Sequence, residues 1–352
     1  MKLIALLAIA LFAHMYGVSC QKCHTVIPHL NAFGSRFMAS GDRIPGVQPG
    51  PAIPFSMKVN LVLSSERQGA GPDGAGLPKA IVDEIETFTA GAIGTRGSFF
   101  VEQYVVDGGE HGLLRDAWIN DRLNPWSARI PLYVQAGSYS LPLPVDPETF
   151  RESYQGYTLY EQTVGTNPFN FFDPKVGMKF TAGDTVSGLS AQVFAGPGYD
   201  RQSDLAKTGV DVMEYVADAM GPLTPSFYHY EGSRPIGTPL DRFSRTGWGL
   251  VYARGKWTSE SVLQTGWDSN DGSGTGAASS GGFTQLRYAF NARFFTLARY
   301  EGTNDPTNGF SRDAVALVGF RPTRNARVTI EDVISHAPAT QHTLNLQYTV
   351  GY

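Results

Sequence analysis

The residues best equipped for chemistry sit in one run of five, Cys20-Gln21-Lys22-Cys23-His24. The chain has two cysteines, and both are in this run. Two thiols separated by two residues and followed directly by histidine match the needs of covalent haem attachment. The thiols add across the two vinyl groups, and the adjacent imidazole takes the proximal position on the iron. A thioredoxin-like redox pair would need a βαβ setting, and none follows. A structural zinc would need further Cys or His ligands at finger spacing, and His29 alone does not supply them. A simple disulfide between Cys20 and Cys23 is the remaining alternative. One haem c bound by Cys20, Cys23 and His24 also calls for a group opposite His24. His29 and Met38 are the nearby candidates, and methionine would raise the potential relative to histidine.

The flanking residues say how such a site would be held. Leu30, Phe33 and Phe37 recur at helical spacing and predict a short amphipathic helix after the motif. Residues 41–51 are rich in glycine and proline and read as an irregular linker. A haem segment over residues 20–50 is below the size at which a chain usually buries its own core. The rest of the protein must therefore cover the haem. Ahead of the motif, residues 1–19 carry one positive charge and a short apolar run, too short to span a bilayer. They read as a secretory signal with cleavage between residues 13 and 19.

The remainder, residues 51–352, reads as a β-barrel. Charged residues make up 17% of the 352, aromatics 12%, and there are 40 glycines. That is a composition for many strands and turns. The net charge of -4 offers no basic surface for nucleic acid. A mean hydropathy of -0.17 excludes a multi-helix membrane protein but suits a membrane barrel, whose strands alternate apolar and polar. Phe55, Met57, Val59, Leu61 and Leu63 share one face, and Ser56, Lys58, Asn60 and Ser64 the other. Val176, Met178 and Phe180 alternate with Gly177, Lys179 and Thr181, and Leu286, Tyr288 and Phe290 with Gln285, Arg287 and Ala289. Most polar faces are small and uncharged, as a wet lumen would allow. The chain ends in Leu344, Leu346, Tyr348, Val350 and Tyr352 on one face, an aromatic-terminated strand typical of outer-membrane barrels.

These runs predict about sixteen antiparallel transmembrane strands, near 55–66, 79–92, 97–107, 112–121, 128–140, 173–182, 185–196, 209–219, 223–231, 243–254, 256–267, 282–292, 293–302, 311–321, 325–335 and 342–352. The fold expected is all-β, with the short helical haem segment entering from the periplasmic side as a plug. Residues 141–172 form a long connection full of proline and aromatics, expected at the barrel mouth or in the lumen. Asp83, Glu84, Glu86 and Asp116 could attract a cation, although ordinary lumen or rim charges are the simpler reading. Arg287, Arg299 and Arg327 could line a path for anions.

Taken together, Cys20 to His24 followed by Pro28-His29-Leu30-Asn31-Ala32-Phe33-Gly34 and Phe37 resembles the haem segment of outer-membrane cytochrome–porin fusions, the family that includes the iron-oxidising cytochromes of Fe(II)-oxidising bacteria. The match covers residues 17–41, and the barrel supports it by architecture. The resemblance implies one covalent haem c within or at the mouth of the barrel. It implies a Gram-negative outer membrane, with its lipid around the barrel. It also implies electron transfer from extracellular Fe(II) or another small reductant to a periplasmic c-type cytochrome. Met38 stands where the family pattern would carry lysine. The alternative function is a porin for small solutes or anions in which the haem segment is secondary.

Overall fold

The computed structural model describes residues 11–24, 29–44, 46–50, 55–68, 77–164, 167–183, 188–197, 210–234, 240–305, 309–323, 325–336 and 340–351. Nineteen strands are assigned among them. They are β1 (Phe55–Gln68), β2 (Leu77–Ile93), β3 (Gly97–Asp107), β4 (Glu110–His111), β5 (Leu114–Arg122), β6 (Leu132–Tyr139), β7 (Thr163–Val164), β8 (Asn167–Pro168), β9 (Lys175–Gly183), β10 (Leu189–Gly196), β11 (Asp211–Asp218), β12 (Leu223–Arg234), β13 (Asp241–Arg254), β14 (Trp257–Asp268), β15 (Ala277–Ala289), β16 (Phe294–Asp305), β17 (Gly309–Thr323), β18 (Ala326–His336) and β19 (Thr340–Gly351). β4 is a short extension of the β3 hairpin, and β7 and β8 pair only with each other. The other sixteen close a ring. Each pairs antiparallel with its neighbours, and β1 pairs with β19 through Lys58↔Gly351 to Ser64↔Asn345. All sixteen expected strands are present, most within two or three residues of the expected ends.

The ring is inside out relative to a soluble protein. On β19, Leu344, Leu346 and Tyr348 face outward, while Asn345, Gln347 and Thr349 are buried. Leu346 is 38% exposed and Gln347 is 4%. The same holds on β1, where Leu61 and Leu63 are exposed and Asn60 and Ser64 buried. A closed sheet leaves no edge with unpaired backbone groups, and apolar residues face out on strand after strand. Those are the two requirements for a barrel in lipid. Tyr352, the last residue of the expected aromatic face, lies outside the described residues.

The inner surface departs from the expectation of a small, uncharged lumen face. Arg245, Arg287, Arg299, Arg327, Glu86, Glu260, Glu301 and Glu331 all point inward and are buried. Part of the lumen is also apolar. The connection between β6 and β9, residues 140–174, folds into the barrel and packs Tyr157, Leu159, Tyr160, Phe169 and Phe171 against Phe194, Met213, Tyr228, Tyr230 and Phe283 of the wall. Burying this many aromatics inside the ring turns what alternation alone would make a wide pore into a partly filled barrel.

The two ends differ. β2 to β3, β11 to β12, β13 to β14, β15 to β16 and β17 to β18 are joined by two to four residues. The chain enters β1 and leaves β19 at this short-turn end. The N-terminal segment lies there too: Arg43 donates to the carbonyls of Gly97 and Thr95, both at 3.4 Å, and the Ser98 hydroxyl donates to Gly41. Residues 1–10 of the expected signal lie outside the described residues. Its remainder includes α1 (Leu11–Tyr16), which packs Leu11 and Met15 on Ala90 of β2.

Candidate functional site

The Cys20–His24 run is shaped by one asparagine. Cys20–Lys22 is a single 3-10 turn, and His24 then forms a β-bridge with Leu30. Asn31 follows that bridge and caps α2 (Ala32–Ala39), accepting from the Gly34 N–H at 3.0 Å. Its amide donates to the carbonyls of Gln21 and Lys22, each at 3.2 Å, and its backbone N–H donates to Cys23 at 2.8 Å. The turn and the helix are therefore clasped together. Gly34 is required by space: a Cβ there would sit 2.2 Å from the Cys23 carbonyl oxygen. Phe37, three residues on and on the same side of α2, sits edge-on to Phe12 at 5.0 Å and to Tyr16 at 5.5 Å. The Asn-x-x-Gly spacing is thus a clasp for the run that precedes it.

Cys23, His24, His29 and Met38 all line one cavity of ≈ 1140 Å³. Phe37, Phe88, Phe100, Trp118 and Phe150 add apolar surface to its walls. Cys20 opens the 3-10 turn, and its side chain lies outside what the structure describes. The two distal candidates differ. Met38 is 42% exposed, whereas His29 is 5% exposed and set edge-on to Phe150 of the lumenal loop at 4.9 Å. Burial first, then Arg287 and His24, push the His29 pKa down to about 3. Its imidazole is neutral at pH 7, so the 3.9 Å approach of Nδ1 to Glu152 is a polar contact and not an ion pair. A neutral imidazole is the form that can ligate iron. The cavity exceeds the usual ~300–1,000 Å³ of a ligand pocket, and its lining suits a large apolar macrocycle.

Around this cavity the lumen charges are largely paired, acid with base, on both sides of the barrel. On one wall Lys58 sits between Glu86 at 2.5 Å and Glu84 at 3.4 Å, and Arg151 reaches Glu84 at 3.6 Å. Glu102, Asp116 and Glu148 continue that wall. Across the barrel lie Arg245, Arg287 and Arg299, where Arg245 pairs with Asp268 at 2.9 Å and Arg299 with Glu301 at 3.2 Å, while Arg327 is on β18, two strands from β1. The anion path expected of Arg287, Arg299 and Arg327 is altered by the loop. Arg287 meets Glu152 at 2.6 Å, and Arg299 donates to Ser153, Gln155 and Gly156 at 3.0, 2.9 and 2.6 Å. Arg327 bonds Gln347 at 3.1 Å. Glu331 completes the staple by accepting from the Tyr154 and Gln155 N–H groups at 2.9 and 3.0 Å. Arg287, Arg299 and Glu331 hold the loop against the wall.

Of the acidic candidates, Glu84 and Glu86 are paired with Lys58 and Arg151, Asp83 is buried on the β1–β2 side, and Asp116 faces the cavity. Sequence reading missed Glu102, Glu148, Glu152 and Glu331. Glu102 and Glu331 sat on recognised strands, whereas the two loop residues carried no signal of where the loop would lie.

No protein-family model matches the chain, and no curated protein matches it in sequence. Solved structures do match in shape. An anion-selective porin from Comamonas acidovorans superposes with a TM-score of 0.66 at 11% identity, covering 86% of this chain and 99% of that one. OmpF of Salmonella typhi, solved with daunomycin, gives 0.63 at 13% identity over 85% and 97%. A loop-L8 deletion mutant of OmpT, an outer membrane protein of Vibrio cholerae, gives 0.62 at 12% identity over 86% and 99%. At these identities the likeness establishes the fold alone: the chain is a porin-type β-barrel.

Proposed function

We propose that this chain works in a Gram-negative outer membrane as a porin-type barrel whose lumen is constricted from both ends. The observation that carries this is the inverted ring, sixteen closed strands with apolar residues out and polar residues in. In barrels of this kind short turns face the periplasm. On that basis the N-terminal segment enters from the periplasmic side, and the 140–174 loop narrows the path it enters. Small solutes that pass must cross between walls lined by paired acidic and basic side chains, which favours dipolar or singly charged species over bulk apolar ones. Reconstitution into planar bilayers tests this. Stepwise conductance that grows when residues 20–50 are deleted supports the reading. Silence from both proteins refutes it.

A second reading is favoured by a separate observation, the gathering of Cys23, His24, His29 and Met38 on one large cavity. In this reading the barrel carries electrons. Haem c bound through Cys20 and Cys23 would supply one-electron redox chemistry. His24 would ligate on the proximal side, and His29 or Met38 on the distal side. Phe37, Phe100, Trp118 and Phe150 would exclude water and keep the site in low dielectric. Extracellular Fe(II) or another small reductant would be the donor and a periplasmic c-type cytochrome the acceptor. Protein made with cytochrome c maturation and titrated anaerobically with Fe(II) decides the matter. A growing α-band supports iron as donor. Reduction by dithionite alone keeps the conduit and removes iron. No haem band leaves the porin.

A further inference from the structure

One cluster beside the cavity has a geometry that neither reading explains. The carboxylates of Glu102 on β3, Asp116 on β5 and Glu148 in the loop offer oxygens that all lie within 4.8 Å of one another. Their convergence has a local cause. Between Val101↔Ala117 and Gln103↔Leu114 the ladder slips, so that Glu102 alone faces Arg115 and Asp116 together. This β-bulge lets two sequence neighbours both turn inward, and bulges often re-aim side chains beside working sites. Two cations are near. Arg115 holds Glu148 through Oε1 and donates to the Phe172 carbonyl at 2.5 Å. Lys179 lies over the Tyr139 ring at 4.9 Å. The Ser140 hydroxyl also donates to Glu148 Oε1.

A separate observation concerns Asp116 itself. It is 6% exposed, yet its buried Oδ1 has no hydrogen-bond partner among the described residues. A buried carboxylate oxygen without a donor is costly, and here it sits among two more carboxylates lining the same cavity.

We propose that Glu102, Asp116 and Glu148 form a binding site for a hard divalent cation. Metal–oxygen distances of ~2.0–2.6 Å place oxygens on opposite sides of such an ion ~4–5 Å apart and adjacent ones closer, and the oxygens here fall within that reach, all within 4.8 Å of one another. Carboxylate-only donors select Mn²⁺, Ca²⁺ or Mg²⁺ over softer metals. The site joins the root of the 140–174 loop to β3 and β5. A bound ion ties the loop to the wall opposite the arginine staples, so the loop is fixed at both sides of the lumen. The site stands whether the barrel passes solutes or electrons.

Mn²⁺ titration of the purified, folded barrel, with free Mn²⁺ read by electron paramagnetic resonance, tests this. One ion should bind per barrel, roughly tenfold or more weaker in Glu102→Gln and in Asp116→Asn, and unchanged in the exposed-residue control Glu66→Gln. No bound Mn²⁺ in the wild type, or wild-type binding by both variants, overturns the site. Should either variant fail to fold, Tb³⁺ luminescence excited through tryptophan gives a second measurement. Trp118 lies on β5 and lines the same cavity. Mn²⁺-displaceable luminescence that is largely lost in Trp118→Phe supports the site, and luminescence unchanged by that substitution overturns it.

Discussion

Asn31 makes the clasp around Cys20–His24 open to a quantitative test. Asn31→Ala removes the N-cap of α2, worth about 0.5–2 kcal/mol. It also removes two amide donations to Gln21 and Lys22. Those bonds are exposed, so about 0.5 kcal/mol each, the low end of the range, is appropriate. The sum is about 2 kcal/mol, or a ~30-fold larger population of the opened segment where cleavage follows fast local opening. Lys22 is exposed and sits inside the clasped turn, so the rate of tryptic cleavage after Lys22 reads that population directly. Asn31→Asp separates the contributions. Its carboxylate still accepts from Gly34 and is favoured at a helix N-terminus, while both donations are lost. It should be cleaved roughly 5-fold faster than wild type, corresponding to about 1 kcal/mol. Wild-type cleavage of Asn31→Ala, or equal cleavage of the two variants, would refute the clasp.

Three further outcomes follow from the same geometry. Gly34→Ala, which in an open helix would stabilise by about 1 kcal/mol, should instead speed cleavage after Lys22, because its Cβ falls 2.2 Å from the Cys23 carbonyl oxygen. Leu346→Arg should cost the barrel about 2–4 kcal/mol in lipid, since that side chain points outward, and a urea titration of refolding into vesicles measures it. For His29 the folded pKa lies below the unfolded one, near 3 against 6.5. The unfolded chain therefore binds more protons between those values. The stability contribution is full above about pH 6.5 and falls by at most about 1.4 kcal/mol per unit as the pH drops. Thermal melts of haem-free protein between pH 7 and 4 should show that slope, and His29→Phe should flatten it.

The barrel was legible because its physics is periodic. Sixteen strands of about ten residues, each apolar on one face, write the fold into alternation, and the expected limits of β3 coincide with those observed. The helix after the motif was legible from Phe33 and Phe37, though it starts at Ala32 because Asn31 caps it. The interior was not legible, for reasons that can be named. Alternation places Arg115 and Asp116 on opposite faces, and only a bulge turns both inward. Glu148 and Glu152 belong to a loop whose path is set by Arg115, Arg287, Arg299 and Glu331, partners up to 177 residues away. No local pattern encodes such a separation. Arg287 and Arg299 looked like free lumenal cations because the groups that engage them come from that loop.

The seam between β1 and β19 also sets an order of events. It joins residues 58–64 to residues 345–351, so the ring shuts only after the last strand has been delivered. Contacts this distant in sequence form late, since their loop-closure cost must be met before they contribute. In the closed ring the 140–174 loop, inserted from one end, and the segment preceding β1, inserted from the other, meet inside at His29 and Phe150. The seam therefore closes the wall around the two inserts, and the stability of the β1–β19 pairing and that of the His29–Phe150 contact belong to one enclosure.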